Sequence, residues 1–224
     1  MTLLPAFAPP FSAPDVHGVI FDMDGLLLDS ERVAYRIGRE TSAHLGAPWS
    51  HEVALRMIGL NSVDGYRLLR EAFGDDFPVE AHQAEFGRRY ERAIDEGGFD
   101  LKPGVHALLD RLDALALPRA VATSTRRARA GAKLAGVGVL ARLHGWVGGD
   151  EVARGKPAPD IYLAAAGLLG VPVGDCLVLE DSNVGVRGGL AAGARVVMVP
   201  DLLPPAPDVL AAGVPVIDSL ARLL

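Results

Sequence analysis

The amino-acid sequence predicts an α/β fold in which a parallel sheet flanked by helices is interrupted early by a helical insert. Three observations carry that expectation. Five short apolar runs recur between stretches of helical spacing, the pattern of strands alternating with helices in a parallel sheet. Residues 31–102 hold no convincing strand and are rich in Arg and Glu. Acidic or hydroxyl residues close three of the apolar runs, so polar groups from separate strands meet at one sheet edge, where ligands collect in open α/β sheets.

Residues 1–15 carry four prolines and no Lys or Arg, lack the makings of a secretory signal, and read as a loose leader. From Val16, VHGVIFD is a short β-rich run ending in acid, and the first strand belongs there. Within 31–102, helices are expected at about 31–46, 50–58, 62–73 and 79–96, broken at Gly46-Ala47-Pro48, Gly59, Gly74 and Gly97-Gly98. The chain re-enters the sheet at Lys102-Pro103-Gly104. Four further strands follow: PRAVATS at 118–124, HGWVGG at 144–149, DCLVLED at 175–181 and ARVVMVP at 194–200. Between and before them, Gly104–Leu115, Arg126–Ala135, Pro159–Leu169 and Val184–Ala192 carry apolar residues at helical spacing.

The 224 residues, 50% of them hydrophobic and 22% charged, suffice for one core and a modest accessory domain. A net charge of −6 offers no basic field for nucleic acid or an anionic membrane. No apolar run approaches the roughly 20 residues that span a bilayer. A single cysteine, Cys176, excludes an internal disulfide, and a cytoplasmic location is expected. Cys176 lies within an apolar run and reads as a small buried hydrophobe. The six histidines show neither HxH nor HExxH spacing, which speaks against zinc, and most read as surface residues.

The candidate chemistry lies at the strand ends. In Asp22-Met23-Asp24-Gly25 two carboxylates are spaced by two and a glycine lets the backbone turn away. One can bind a hard cation and attack phosphorus while the other moves protons; the bland alternative is a solvated turn. Thr123 and Ser124 end the second strand before a helix, an arrangement that seats a phosphate or simply caps the helix. Lys156, between Gly155 and Pro157, can neutralise anions that would otherwise repel. Glu180-Asp181 closes the fourth of the five runs, where it can complete an oxygen shell around Mg²⁺; the rival reading is capping of the next helix by Asp181 or Ser182. Clustered carboxylates repel, which favours a cation among them. Arg126, Arg127 and Arg129 read as a solvated face or as partners of an acidic substrate.

In order and spacing, Asp22-Met23-Asp24-Gly25-Leu26, Thr123, Lys156 in GKPAPDIY, and Glu180-Asp181 resemble the four motifs of the haloacid dehalogenase-like phosphohydrolases. The branch resembled is that of β-phosphoglucomutase and phosphoglycolate phosphatase. The resemblance implies a Rossmann-like core over 16–30 and 103–224 with a helical cap over 31–102. It implies Asp22 as nucleophile and Asp24 as general acid and base. Mg²⁺ would be held by Asp22, the main-chain carbonyl of Asp24, and Asp181 with Glu180; Thr123, Ser124 and Lys156 would bind the phosphoryl group. The substrate implied is a small phosphorylated metabolite such as a phosphosugar, turned over by a monomer or small homo-oligomer. Gly59-Leu60-Asn61 resembles the cap's specificity loop, with helix termination as its rival. Asp24 argues against dehalogenases and phosphonatases, which lack an acid there. The mutases carry a histidine where this chain has Ala34 and an arginine near Ser62, so hydrolysis is favoured over isomerisation. A catalytically silent binding module is the remaining alternative.

Overall fold

The computed structural model describes residues 16–57 and 62–224, so the leader 1–15, the Gly59-Leu60-Asn61 loop and the Ser62 side chain lie outside the described residues. Two compact units divide the chain. One comprises Ser30–Phe99, the other the chain up to Asp29 together with Asp100–Leu224.

The larger unit is built on a five-stranded sheet with every pairing parallel. Its strands are β1 (Gly18–Phe21), β2 (Arg119–Ala122), β3 (Gly145–Val147), β4 (Cys176–Glu180) and β5 (Arg195–Met198), in spatial order β3-β2-β1-β4-β5. All five lie inside the apolar runs expected from sequence. Helices cover both faces, which is why β1 and β4 read as unbroken apolar runs rather than alternating ones. Alternate residues still part company across the sheet. Val19, Phe21, Val121, Leu177 and Leu179 join one core, while Ile20, Ala120, Ala122, Cys176 and Val178 join the other.

The helices of this unit that follow the insert are α5 (Val105–Ala114), α6 (Arg127–Gly136), α7 (Asp160–Leu169), α8 (Asn183–Ala191) and α9 (Pro207–Ala211). Leu108, Leu109 and Leu112 of α5 and Leu134 of α6 fill the first core; Ile161, Tyr162 and Ala165 of α7 and Val186 of α8 fill the second. The short α9 has no counterpart in the sequence reading, because its five residues sit among prolines too close together to show a period.

The smaller unit holds α1 (Ser30–Leu45), α2 (His51–Met57), α3 (Ser62–Phe73) and α4 (Val79–Asp95), within a residue or so of the expected bounds. Val53, Leu68, Leu69, Phe77 and Val79 form a core of their own. His82 departs from the surface role expected of the histidines. It is buried, its Nε2 lies 3.1 Å from Ser42 Oγ, and burial lowers its pKa.

Where the chain leaves the larger unit and returns, the two passes are tied together. Asp29 N–H donates to Asp100 O at 2.9 Å, Lys102 N–H donates to Leu27 O at 2.8 Å, and Leu28 bridges Leu101 in antiparallel fashion. Among the described residues, no helix is long and apolar enough to cross a membrane.

Candidate active site

Sheet order decides which side chains meet. β1 lies between β2 and β4, with Phe21 in register with Val121 on one side and Leu179 on the other. The residues just past these three strand ends are therefore neighbours, although far apart in sequence.

Asp22 N–H still donates to Leu179 O at 2.9 Å, which sets its carboxylate beside Glu180 and Asp181. Beyond it the chain turns at once: Leu27 and Leu28 both donate to Met23 O, at 3.0 Å each. Gly25 is needed there twice over. Its φ of +90° lies in the left-handed region, and a Cβ on it would collide with the Asp181 carboxylate. Asp22, Glu180 and Asp181 each offer an oxygen, and these three oxygens lie within 4.8 Å of one another.

Lys156 bridges this group. Its Nζ lies 2.5 Å from Asp22 Oδ1 and 2.5 Å from Glu180 Oε1, and its side chain is buried. The ammonium also lies 5.2 Å from the centre of the Tyr162 ring, in cation–π range. Tyr162, in the first turn of α7, donates its hydroxyl to Glu180 Oε1 at 2.6 Å. Ser182 supplies Glu180 Oε2 with its N–H at 3.1 Å and its hydroxyl at 3.0 Å. Ser182 Oγ also accepts from Gly185 N–H at 3.0 Å and so caps α8. Glu180 thus receives two donors on each oxygen, which fills the roughly four lone-pair sites of a carboxylate.

Asp24 faces elsewhere. Its Oδ2 accepts from Thr125 Oγ1 at 2.6 Å and its Oδ1 from Lys133 Nζ at 2.7 Å. Thr123 is buried, with Oγ1 accepting from Thr125 N–H at 3.1 Å, while Ser124 is exposed. Arg127 is not a free surface charge: it pairs with Glu151 at 3.0 Å and stacks over Trp146.

Burial dominates the electrostatics. It pushes the Asp22 carboxyl up to about 8, with Lys156 pulling the other way and Glu180 and Asp24 adding to the rise. Burial likewise raises Asp181 well above the carboxylate range, helped by Asp22, Glu180 and Asp201. For Lys156, burial works against the charge, but Asp22 and Glu180 prevail and hold its pKa well above the ordinary value. An all-oxygen set of clustered carboxylates is what a hard divalent cation requires, and such a cation would relieve their repulsion. Asp22 and Asp181 retain acceptor capacity for one; Glu180 has its lone pairs taken up by protein donors. Cys176, buried in β4 with its thiol pushed up to about 11, packs as a hydrophobe.

Of the residues singled out from sequence, Asp22, Lys156, Glu180 and Asp181 come together directly. Thr123 joins Asp24 through Thr125, which both touch. Sequence reasoning missed Thr125, Lys133 and Tyr162. Lys133 left a visible signal, since it shares the buried side of α6 with Ala130 and Leu134, where a lysine is out of place.

A family model described as "haloacid dehalogenase-like hydrolase" matches residues 16–193. The probable pseudouridine-5'-phosphatase of Drosophila melanogaster is 38% identical over 189 residues, covering 81% of this chain and 80% of the relative. Hexitol phosphatase A of Escherichia coli is 34% identical over 190 residues, covering 81% and 82%. Among solved structures, a putative β-phosphoglucomutase from Thermotoga maritima superposes with a TM-score of 0.80 at 28% identity, covering 93% of this chain and 97% of that one.

Proposed function

The chain belongs to the haloacid dehalogenase-like hydrolases, and on that premise we propose that it is a Mg²⁺-dependent phosphatase working through an aspartyl-phosphate on Asp22. One relative is described as a probable pseudouridine-5'-phosphatase and another as hexitol phosphatase A, and the substrate proposed is a small phosphomonoester of that kind. One observation supports the reading above the others. A buried carboxylate, Asp22, is clamped by a buried lysine beside a second acid, Asp181, while Asp24, two residues on, is held by a separate lysine.

In the first half-reaction an Asp22 oxygen attacks phosphorus and the bond to the ester oxygen breaks, with Asp24 giving that oxygen its proton. In the second, Asp24 takes a proton from water, the water oxygen attacks phosphorus, and the bond to Asp22 breaks, releasing phosphate and restoring both acids. Lys156 holds Asp22 in place and offsets phosphoryl charge; Thr123 and Ser124 lie at the adjoining strand end to receive phosphoryl oxygens. Glu180, satisfied on all sides, orients Lys156. Mg²⁺ on Asp22 and Asp181, with the Asp24 carbonyl, would supply positive charge that keeps Asp22 ionised and stabilises the transferring group. The helical unit Ser30–Phe99 is the proposed source of substrate selectivity.

The test is phosphate release across phosphorylated sugars, polyols and nucleotides, with Mg²⁺ and with chelator. Release is expected with Mg²⁺ alone and is abolished by Asp22→Asn in a protein that still folds. Conversion of β-glucose 1-phosphate to glucose 6-phosphate without phosphate release would instead establish the mutase alternative, and activity surviving Asp22→Asn would sink the covalent mechanism.

A further inference from the structure

Lys133 lies outside all four motifs, yet it spans 109 residues of sequence to reach Asp24. Its side chain is 2% exposed. Desolvating an ammonium is expensive, and a buried ion pair seldom stabilises a fold more than an apolar residue of the same volume would. The neighbours of Lys133 on the buried side of α6, Ala130 and Leu134, show what packing alone would select there. The lysine therefore calls for a reason beyond packing, and its ammonium lies 2.7 Å from Asp24 Oδ1.

The two oxygens of Asp24 are held by different kinds of donor. A lysine ammonium can only donate, whereas a threonine hydroxyl can donate or accept. Oδ1, facing Lys133, is therefore permanently an acceptor. Oδ2, 2.6 Å from Thr125 Oγ1, can carry a proton once that hydroxyl turns round. We infer that Lys133 is a positioning residue for the reaction proposed above: it locks Asp24 Oδ1, so that proton exchange with leaving group and water falls to Oδ2, with Thr125 as the reversible partner. The inference rests on the phosphatase reading.

Stopped-flow turnover of p-nitrophenyl phosphate by the full chain in Mg²⁺ tests it. This ester's leaving group departs without a proton, so only the second half-reaction needs Asp24. Lys133→Met should keep a nitrophenolate burst of about one per enzyme while the steady-state rate falls by about tenfold or more. Lys133→Arg, which restores a fixed donor, should recover most of that rate. In an Asp24→Asn background, Lys133→Met should bring no further loss, because it acts through Asp24. Burst and steady state falling together, a steady-state rate unchanged within about twofold, or an added loss on top of Asp24→Asn would each overturn the inference. If Lys133→Met does not fold, Thr125 provides the reading: Thr125→Val should slow the steady state with the burst intact and Thr125→Ser should not, and equal behaviour of the two overturns it. Wild-type protein that releases no nitrophenolate, or an Asp22→Asn variant that still does, sinks the phosphatase reading itself and is told apart by those two controls.

Discussion

Glu180 and Asp181 are adjacent in sequence but differ in what surrounds their carboxylates. Glu180 is wholly buried and takes donors from Lys156, Tyr162 and Ser182, whereas Asp181 lies against Gly25 within reach of Asp22. Tyr162→Phe would remove one donor from a buried acid without changing its packing. A loss of about 1–2 kcal/mol in urea denaturation is expected, and a neutral result would mean that the hydroxyl is not needed to satisfy Glu180. From sequence, both acids read alike as cation ligands. What separates them is the set of donors on Glu180, among them Tyr162, the last residue of GKPAPDIY, whose hydroxyl's partner nothing in the local sequence discloses.

At the level of elements, the junction between β4 and α8 carries two tasks on one residue. The Ser182 hydroxyl caps the helix through Gly185 N–H and donates to Glu180, so the rival readings of that segment, helix cap or acidic site, are joined in the same turn. Ser182→Ala should cost about 1–2 kcal/mol for the lost cap and leave Glu180 a donor short as well. Its destabilisation should exceed that of Tyr162→Phe, and the two denaturation midpoints compared in one series check the order. Elements were legible wherever glycines, prolines and strand-ending acids punctuated the chain, as at Gly104 before α5 and Gly170 after α7. Legibility failed at α9, where the same punctuation is too dense to leave a period, and at His82, whose buried ring meets the Ser42 hydroxyl forty residues away.

Across the whole molecule, the pairs that organise the site join distant segments, 134 residues apart for Lys156 and Asp22. Motif order announced that they would meet; only the strand order could say who holds whom. Their burial also ties stability to pH. Asp22, with its carboxyl at about 8 in the cation-free fold and near 4 when unfolded, binds its proton more tightly folded. That contribution is fully present below the unfolded value and lost as pH rises through about 8. On the proposed reading Mg²⁺ would have to displace this proton, so its apparent affinity should climb towards pH 8 and level off above, and its effect on Tm should be larger at pH 8 than at pH 6. A Tm increment that is equal at both pH values would show that Asp22 is ionised without the cation. The tie between Asp29 and Asp100 has a different consequence. As far as the sheet is concerned, residues 30–99 are a loop whose ends are already fastened, and lengthening a closed loop costs only about 0.6 kcal/mol per doubling. The insert can therefore change in length at little cost to the sheet, and the carboxylates at the sheet edge stay where the strand ends put them.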